Sequence, residues 1–275
     1  DQRNNILLGI VLNGFMLRDI TQSLKIEKWL LAHAHQVQSW FEVIAEVDAY
    51  NSLANFHFNH PSYVFPHIKD QGSFTKTEGA VHPLIHPKDA VRNTFEIKDN
   101  QFFIITGANM AGKSTFLRTV ALQIVMANVG LPVCATSCDY VPTKLITSMR
   151  TVDSLADEAS YFFAELTRLK YIVDEIESDK YFIVLDEILK GTNSTDKAMG
   201  SRKFVERLVK AKAIGIIATH DLSLCEVADE LPQVQNYYFD AEIINDELNF
   251  DYTLKQGICQ NMNASFLLKK MNIVE

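Results

Sequence analysis

Residues 101–128 leave this chain little choice of architecture. "QFFIITG" (101–107) is an uninterrupted apolar run, "ANMAGKST" (108–115) is a glycine-bearing turn, and "FLRTVALQIVMAN" (116–128) carries helical periodicity. A strand that apolar must be covered on both faces, which points to a parallel sheet with crossover helices. Two runs of the same kind follow, "KYFIVLDE" (180–187) and "AIGIIATH" (213–220), alternating with helical stretches at 113–128, 157–177 and 196–211. The expected fold is α/β: a mostly parallel central sheet flanked by helices.

The turn has the spacing Gly107-x-x-x-x-Gly112-Lys113-Ser114. Glycines at these positions let the backbone curl so that N–H groups at a helix start face a phosphate. Gly107, Ala108, Asn109, Met110, Ala111, Gly112, Lys113, Ser114 and Thr115 are therefore candidate nucleotide-binding residues. Lys113 is expected on the β- and γ-phosphate oxygens and Ser114 on a Mg²⁺ ion. Such a site needs an acid at the end of a second apolar strand. "FIVLDE" supplies Asp186 for the metal shell and Glu187 to polarise an attacking water. The third strand ends in His220, placed to report on a γ-phosphate.

Upstream, no Pro or Gly interrupts the chain from Asp19 to about Phe58, and Leu24, Leu31, Ala34, Val37, Phe41, Ile44 and Val47 recur at helical spacing. Asp19 is the expected cap. A helix of that length spans about 55 to 60 Å, more than a compact domain needs, so it reads as a strut or connector. The earlier run "ILLGIVLNGFML" (6–17) is shorter than the roughly 20 residues of a membrane span and is expected to dock as a helix. The Pro-rich stretch "HPSYVFPHIKDQGSF" (60–74) marks a boundary. The expected division is a helical connector at 1–68 and an ATPase domain at 69–275.

Composition narrows the function classes. With 47% hydrophobic and 22% charged residues the chain is globular, and a net charge of −8 argues against a surface that grips nucleic acid phosphates broadly. The four cysteines lack zinc spacing and are expected as reduced thiols in a cytoplasmic protein. "HPLIH" (82–86) and "HAH" (33–35) are not metal sites on this reading, because Pro83 opposes the helix that would bring His82 and His86 together. Helix 157–177 is expected to carry its charges on a solvated face, with Tyr161, Phe162 and Phe163 packed inward. The tail "YYFDAEIINDELNFDYTLKQGI" (237–258) reads as a hairpin turning at Asn245-Asp246 and giving edge strands.

These pieces resemble the MutS family, members of the ABC-ATPase superclass of P-loop NTPases. "TGANMAGKSTFLR" is similar to its TG-x-NM-x-GKST loop followed by Arg, and the Asn-Met pair sets MutS apart from other such ATPases. "LDEILKGTNSTD" resembles the family's DEI-G-R-GT-S-x-x-D segment at Gly191, Thr192 and Asp196. "ATHDLSL" resembles its ATH switch and "EGAVHPLI" its G-R-HP-V strand. "RNTFEI" resembles the segment whose aromatic stacks on adenine, which nominates Phe95. The long helix followed by "AEVDAYNSLANF" resembles the lever helices.

The resemblance implies ATP or ADP with Mg²⁺, and a homodimer in which each subunit lends a signature stretch to its partner's γ-phosphate. The matching stretch is "DSLADEASYFFAEL" (153–166), with Ser160 as the residue offered in trans. Departures are Glu158 for the signature Gly, Val81 for the Arg before His-Pro, and Leu189-Lys190 for the Gly-Arg after DEI. The family's Phe-x-Glu mismatch reader is lacking, since Phe163-Ala164-Glu165 falls inside the signature. DNA contact is then expected only through domains outside this chain, which starts at Asp1 and reads as part of something longer. The expected function is Mg-dependent ATP hydrolysis by a nucleotide-switched dimer coupled to mismatch-repair-type DNA work. Two alternatives stand beside it. One is a relative acting on branched DNA, ribosomes or a membrane-tethered partner. The other is a nucleotide-binding scaffold with little turnover, which Glu158 favours.

Overall fold

A computed structural model describes residues 6–72, 74–149, 161–244 and 247–260. The chain divides into two compact units, Asp1–Asn59 and His60–Glu275.

The first unit is helical. α1 (Ile6–Gly14) is followed by α2 (Arg18–Asn59), whose 42 residues extend about 63 Å. No Gly or Pro occurs in α2, and Pro61 lies just beyond its end, where a residue lacking N–H cannot prolong the ladder. Asp19 does not cap this helix; it sits within the first turn. Its backbone N–H donates to the Asn13 side chain (3.1 Å), and the Asn13 amide donates back to the Asp19 carboxylate (2.6 Å). The orphan donor at the helix start is thus met from the preceding helix, and the Asp19 charge complements the helix dipole. No residue of α2 is buried, and Trp29, Phe41, Ile44 and Val47 are exposed. The run at 6–17 is helical as expected over Ile6–Gly14, and Ile10 and Val11 of α1 are exposed.

The second unit is mixed α/β. Its strands are β1 (His67–Ile68), β2 (Thr75–Ala80), β3 (Asn93–Ile97), β4 (Phe102–Gly107), β5 (Ser137–Tyr140), β6 (Lys144–Ser148), β7 (Tyr181–Asp186), β8 (Ile214–Ala218), β9 (Val234–Phe239), β10 (Ala241–Ile244), β11 (Glu247–Phe250) and β12 (Lys255–Gln256). Its helices are α3 (Lys113–Asn128), α4 (Tyr161–Ser178), α5 (Ser194–Lys210) and the short α6 (Val227–Glu230). The large sheet has the order β12-β9-β4-β8-β7-β6; β9 to β6 pair parallel and β12 is an antiparallel edge. A second sheet, β1-β5-β2-β3, combines one parallel pair with antiparallel ones.

Residues 60–68, placed with the helical connector on sequence grounds, belong to this second unit. Val64 exchanges backbone hydrogen bonds with Val133, and His67 and Ile68 pair with Asp139 and Tyr140. The tail forms the expected hairpin, with β10 and β11 antiparallel on either side of 245–246, but as a separate two-stranded ribbon; β12 alone of the three strands joins the edge of the large sheet.

Every residue of β4 and β8 is buried, as are Phe182, Ile183, Val184 and Leu185 of β7. Burying each Val, Leu, Ile or Phe among them contributes about 1.5–3 kcal/mol. Phe102, Ile104, Ile183 and Leu185 pack with Leu169 and Ile172 of α4 and with Val205 and Leu208 of α5. Phe182, next along β7, stacks instead on Phe74 at 4.8 Å between ring centroids.

Register sets the site. Ile105 of β4 and Asp186 of β7 both stand opposite Ala218 of β8. The turn after β4, the acids ending β7 and the histidine after β8 therefore emerge side by side at the carboxyl edge of the sheet, where open parallel sheets bind ligands.

Candidate functional site

Gly107 has φ of 145° and Gly112 of 104°, values that L side chains rarely adopt. A Cβ on Gly107 would lie 2.4 Å from the Phe239 carbonyl oxygen, and one on Gly112 would lie 3.1 Å from the Tyr252 ring. Gly112 precedes α3 and offers no side-chain cap, so the first N–H groups of α3 open toward the turn. Met110, at φ of 66°, is exposed.

Lys113 is buried, and its ammonium donates to the carbonyls of Gly107 and Ala108, each at 2.8 Å. Burial pulls its pKa from 10.5 down to about 8, against the opposing fields of Glu187 and Asp186. These two acids lie across an open cleft of about 500 Å³ lined by residues 109–115, Asp186, Glu187, Lys190 and His220. The cleft places a helix start and a cation opposite two carboxylates, an arrangement fitted to an anion carrying a divalent metal. Among the described residues no group of three or more His, Cys, Asp or Glu could hold a metal alone. Mg²⁺ is usually held by one or two protein oxygens together with substrate phosphates. The Ser114 hydroxyl and the Asp186 carboxylate are the donors at hand.

Glu187 occupies left-handed backbone (φ 49°), as does Leu189 (φ 60°), each costing roughly 1–3 kcal/mol unless the surroundings impose it. The Glu187 N–H donates to Ala218 of β8 at 2.9 Å. Its carboxylate accepts from His220 Nε2 (2.8 Å) and lies 3.1 Å from the Lys190 ammonium. Chiefly through the His220 hydrogen bond, its pKa falls from 4.5 to about 2. A carboxylate so stabilised is a weak proton acceptor and is better suited to orienting a water than to removing its proton.

A second cavity of about 270 Å³ adjoins the cleft and shares Gly112, Thr115 and Tyr252 with it. His82, Val91, Asn93 and Phe116 are among its walls. The Asn93 amide donates to the Tyr252 carbonyl (3.0 Å) and accepts from the Leu254 N–H (2.7 Å), fastening the chain after β11 over this cavity. Phe95 is not available to a base here. Its side chain is buried on β3 and meets the Phe116 ring edge-on at 5.3 Å. Along β3 the residues alternate faces, and Phe95 falls on the core side.

Two participants, Tyr252 and Glu165, escape the motif reading. Lys190, which stands in the sequence where the family has Arg, lies 3.1 Å from Glu187. Tyr252 lies far along the chain and comes to the cleft only through tertiary folding. Glu165 belongs to helix α4, whose charges were expected in solvent, yet it is 3% exposed and accepts from the N–H groups of Leu189 (2.7 Å) and Lys190 (3.1 Å). Phe162 packs on the core as expected, whereas Phe163 is exposed. Ser160 and Glu158 lie outside the described residues. Among the described residues none of the four cysteines is in a disulfide, and no helix is long and apolar enough to cross a membrane.

Comparison with known proteins gives a consistent set of likenesses. Residues 103–271 match the family model of MutS domain V. The DNA mismatch repair protein MutS of Natronomonas pharaonis is 31% identical over 241 residues, covering 86% of this chain and 28% of that protein. MutS protein homolog 4 of Homo sapiens is 28% identical over 251 residues, 87% of this chain and 26% of that protein. The DNA mismatch repair protein MutS of Methanosarcina mazei is 32% identical over 235 residues, 82% and 26% respectively. The chain thus spans about a quarter of the length of the curated relatives it matches.

Proposed function

Since this chain belongs to the MutS family, we propose that it is the ATPase domain of a longer MutS-type protein, joined to part of its helical lever, and that it hydrolyses ATP with Mg²⁺. The observation that carries this reading is the convergence of Lys113, Asp186, Glu187 and His220 on one cleft from three different strand ends.

The α3 N-terminus and the turn 107–112 receive the phosphates through backbone N–H groups. Lys113 exchanges its bonds to Gly107 and Ala108 for phosphate oxygens, which restores a charged partner to a buried ammonium. Ser114 and Asp186 hold Mg²⁺, which neutralises charge on the phosphates. Glu187, fixed between His220 and Lys190, orients the water for in-line attack, and His220 links that carboxylate to the γ-phosphate position. The base occupies the smaller cavity beside Asn93 and Tyr252, with Tyr252 in the role that the sequence assigned to Phe95.

The site is completed by a second copy of the chain offering residues 153–166, Ser160 among them. In the longer protein the nucleotide cycle drives work on DNA, a reading supported by its likeness to proteins named DNA mismatch repair protein MutS. The net charge of −8 favours a second reading, in which the partner of the full protein is not mismatched DNA but another structure or complex.

Replacing Glu187 with Gln tests the assignment. Mg·ATP binding, followed with a fluorescent analogue, is expected to persist while phosphate release falls at least about 100-fold. Turnover at the wild-type rate in that variant would remove Glu187 from the reaction.

A further inference from the structure

Helix α4 carries one apolar stripe, formed by Phe162, Leu169, Ile172, Val173 and Ile176 packing on the core. Glu165 falls on that stripe, three residues from Phe162 and four from Leu169, at the spacing of a core position. A carboxylate there is costly unless its oxygens are bonded. Both are: one accepts the Leu189 N–H and the other the Lys190 N–H. Two consecutive N–H groups converge on one anion because Leu189 is in left-handed backbone, a geometry that turns neighbouring donors toward a common point.

We propose that Glu165 is a positioning residue for the nucleotide site: its carboxylate holds the turn 187–190 so that the Glu187 side chain faces the phosphate-binding turn. The proposal rests on the role given to Glu187 above. Two packing contacts support the same turn. A Cβ on Gly191 would lie 2.8 Å from the Phe162 Cβ, so the backbone at 191 runs directly against the first turn of α4. Leu189 reaches α5, where its Cδ1 would lie 2.7 Å from a Cβ on Gly200. The turn is seated on two helices, and Glu165 supplies the polar part of the seat.

Its effect reaches the cleft by two short routes. One is the backbone from Leu189 to Glu187. The other is Lys190, whose N–H binds Glu165 and whose ammonium lies 3.1 Å from the Glu187 carboxylate. Displacement of the first turns of α4 is thereby passed to Glu187. Glu165 touches neither phosphate nor metal, so losing it should spare nucleotide binding and slow the chemical step.

The test uses Glu165→Gln, which keeps the shape but leaves one acceptor oxygen for two donors. Its companion is Leu169→Ala, which weakens the same stripe one turn away and leaves both Glu165 acceptor oxygens in place. Steady-state ATP turnover and hydrogen exchange at the Leu189 and Lys190 amides are measured in both. The Gln variant is expected to lose about tenfold or more in kcat with KM for ATP unchanged, because a small misplacement of a reacting group is costly. Its Leu189 and Lys190 amides should exchange faster while those of residues 111–116 keep their rates. Leu169→Ala should melt earlier yet retain kcat per folded molecule and protection at 189 and 190. Glu165→Gln with wild-type kcat, or with both amides as protected as before, would overturn the proposal. If instead Glu187→Gln turns over normally, the reading of Glu187 fails, and the exchange rates alone decide whether Glu165 holds the turn.

Discussion

Lys113 is a buried cation bonded to two carbonyls and flanked by two acids, and this combination sets how the site answers to pH. Its ordinary pKa of 10.5 is lowered to about 8 by burial. In the unfolded chain the amine keeps its proton up to the ordinary value, so between about 8 and 10.5 the unfolded state binds more protons and Lys113's contribution to stability improves as pH rises. Phosphate binding runs the other way, since only the ammonium attracts an anion. Affinity for Mg·ATP is expected to drop several-fold to roughly tenfold between about pH 7 and about pH 9, measurable by titration at constant ionic strength. A flat profile across that range would mean that Lys113 does not meet the phosphates. Glu187 has the opposite character: with a pKa of about 2 it stays ionised throughout this range, so it contributes no pH dependence of its own there.

At the scale of elements, the close approach of strands fixes where substitutions hurt. Gly215 in β8 runs between β4 and β7, and a Cβ there would lie 2.5 Å from the Ile183 carbonyl oxygen and 2.8 Å from the Phe102 ring. Gly215→Ala is expected to destabilise the second unit by about 2–3 kcal/mol, read from its urea midpoint, because neither a backbone oxygen nor a packed ring can yield cheaply. An unchanged midpoint would show that the sheet relaxes around the methyl group.

The strands β4, β7 and β8 are legible in the sequence because parallel strands buried on both faces read as unbroken apolar runs. Helix α3 is legible to the residue, since a glycine turn starts it and Gly130 follows its end. What escapes the sequence is orientation. Phe95 is one of several aromatics near the site, and only the pairing of β3 with β2 decides that it faces the core. Glu165 is a charge on a helix, for which solvent is the default expectation, and its partners are backbone N–H groups that leave no mark in a motif. Asp19 precedes the periodic run as a cap should, yet Asn13 in the previous helix meets the donor instead.

At the scale of the whole molecule, two units of different character share one chain. The first contains a 42-residue helix with no buried residue, and the second contains a buried parallel sheet with its reactive residues on one edge. An exposed helix with Trp29 and Trp40 in edge contact 6.0 Å apart gives a natural fluorescence reporter of what happens in the first unit. The chain spans about a quarter of the length of its curated relatives. On the proposed reading the cleft binds Mg·ATP by itself and hydrolyses it when a second copy completes the site. The direct measurement is phosphate release from Mg·ATP per subunit across a wide range of chain concentration, with Glu187→Gln beside the wild type. The account predicts a wild-type rate that climbs with concentration and a variant that binds nucleotide equally well but releases almost no phosphate. Equal release by both chains, or no nucleotide binding by either, would contradict it.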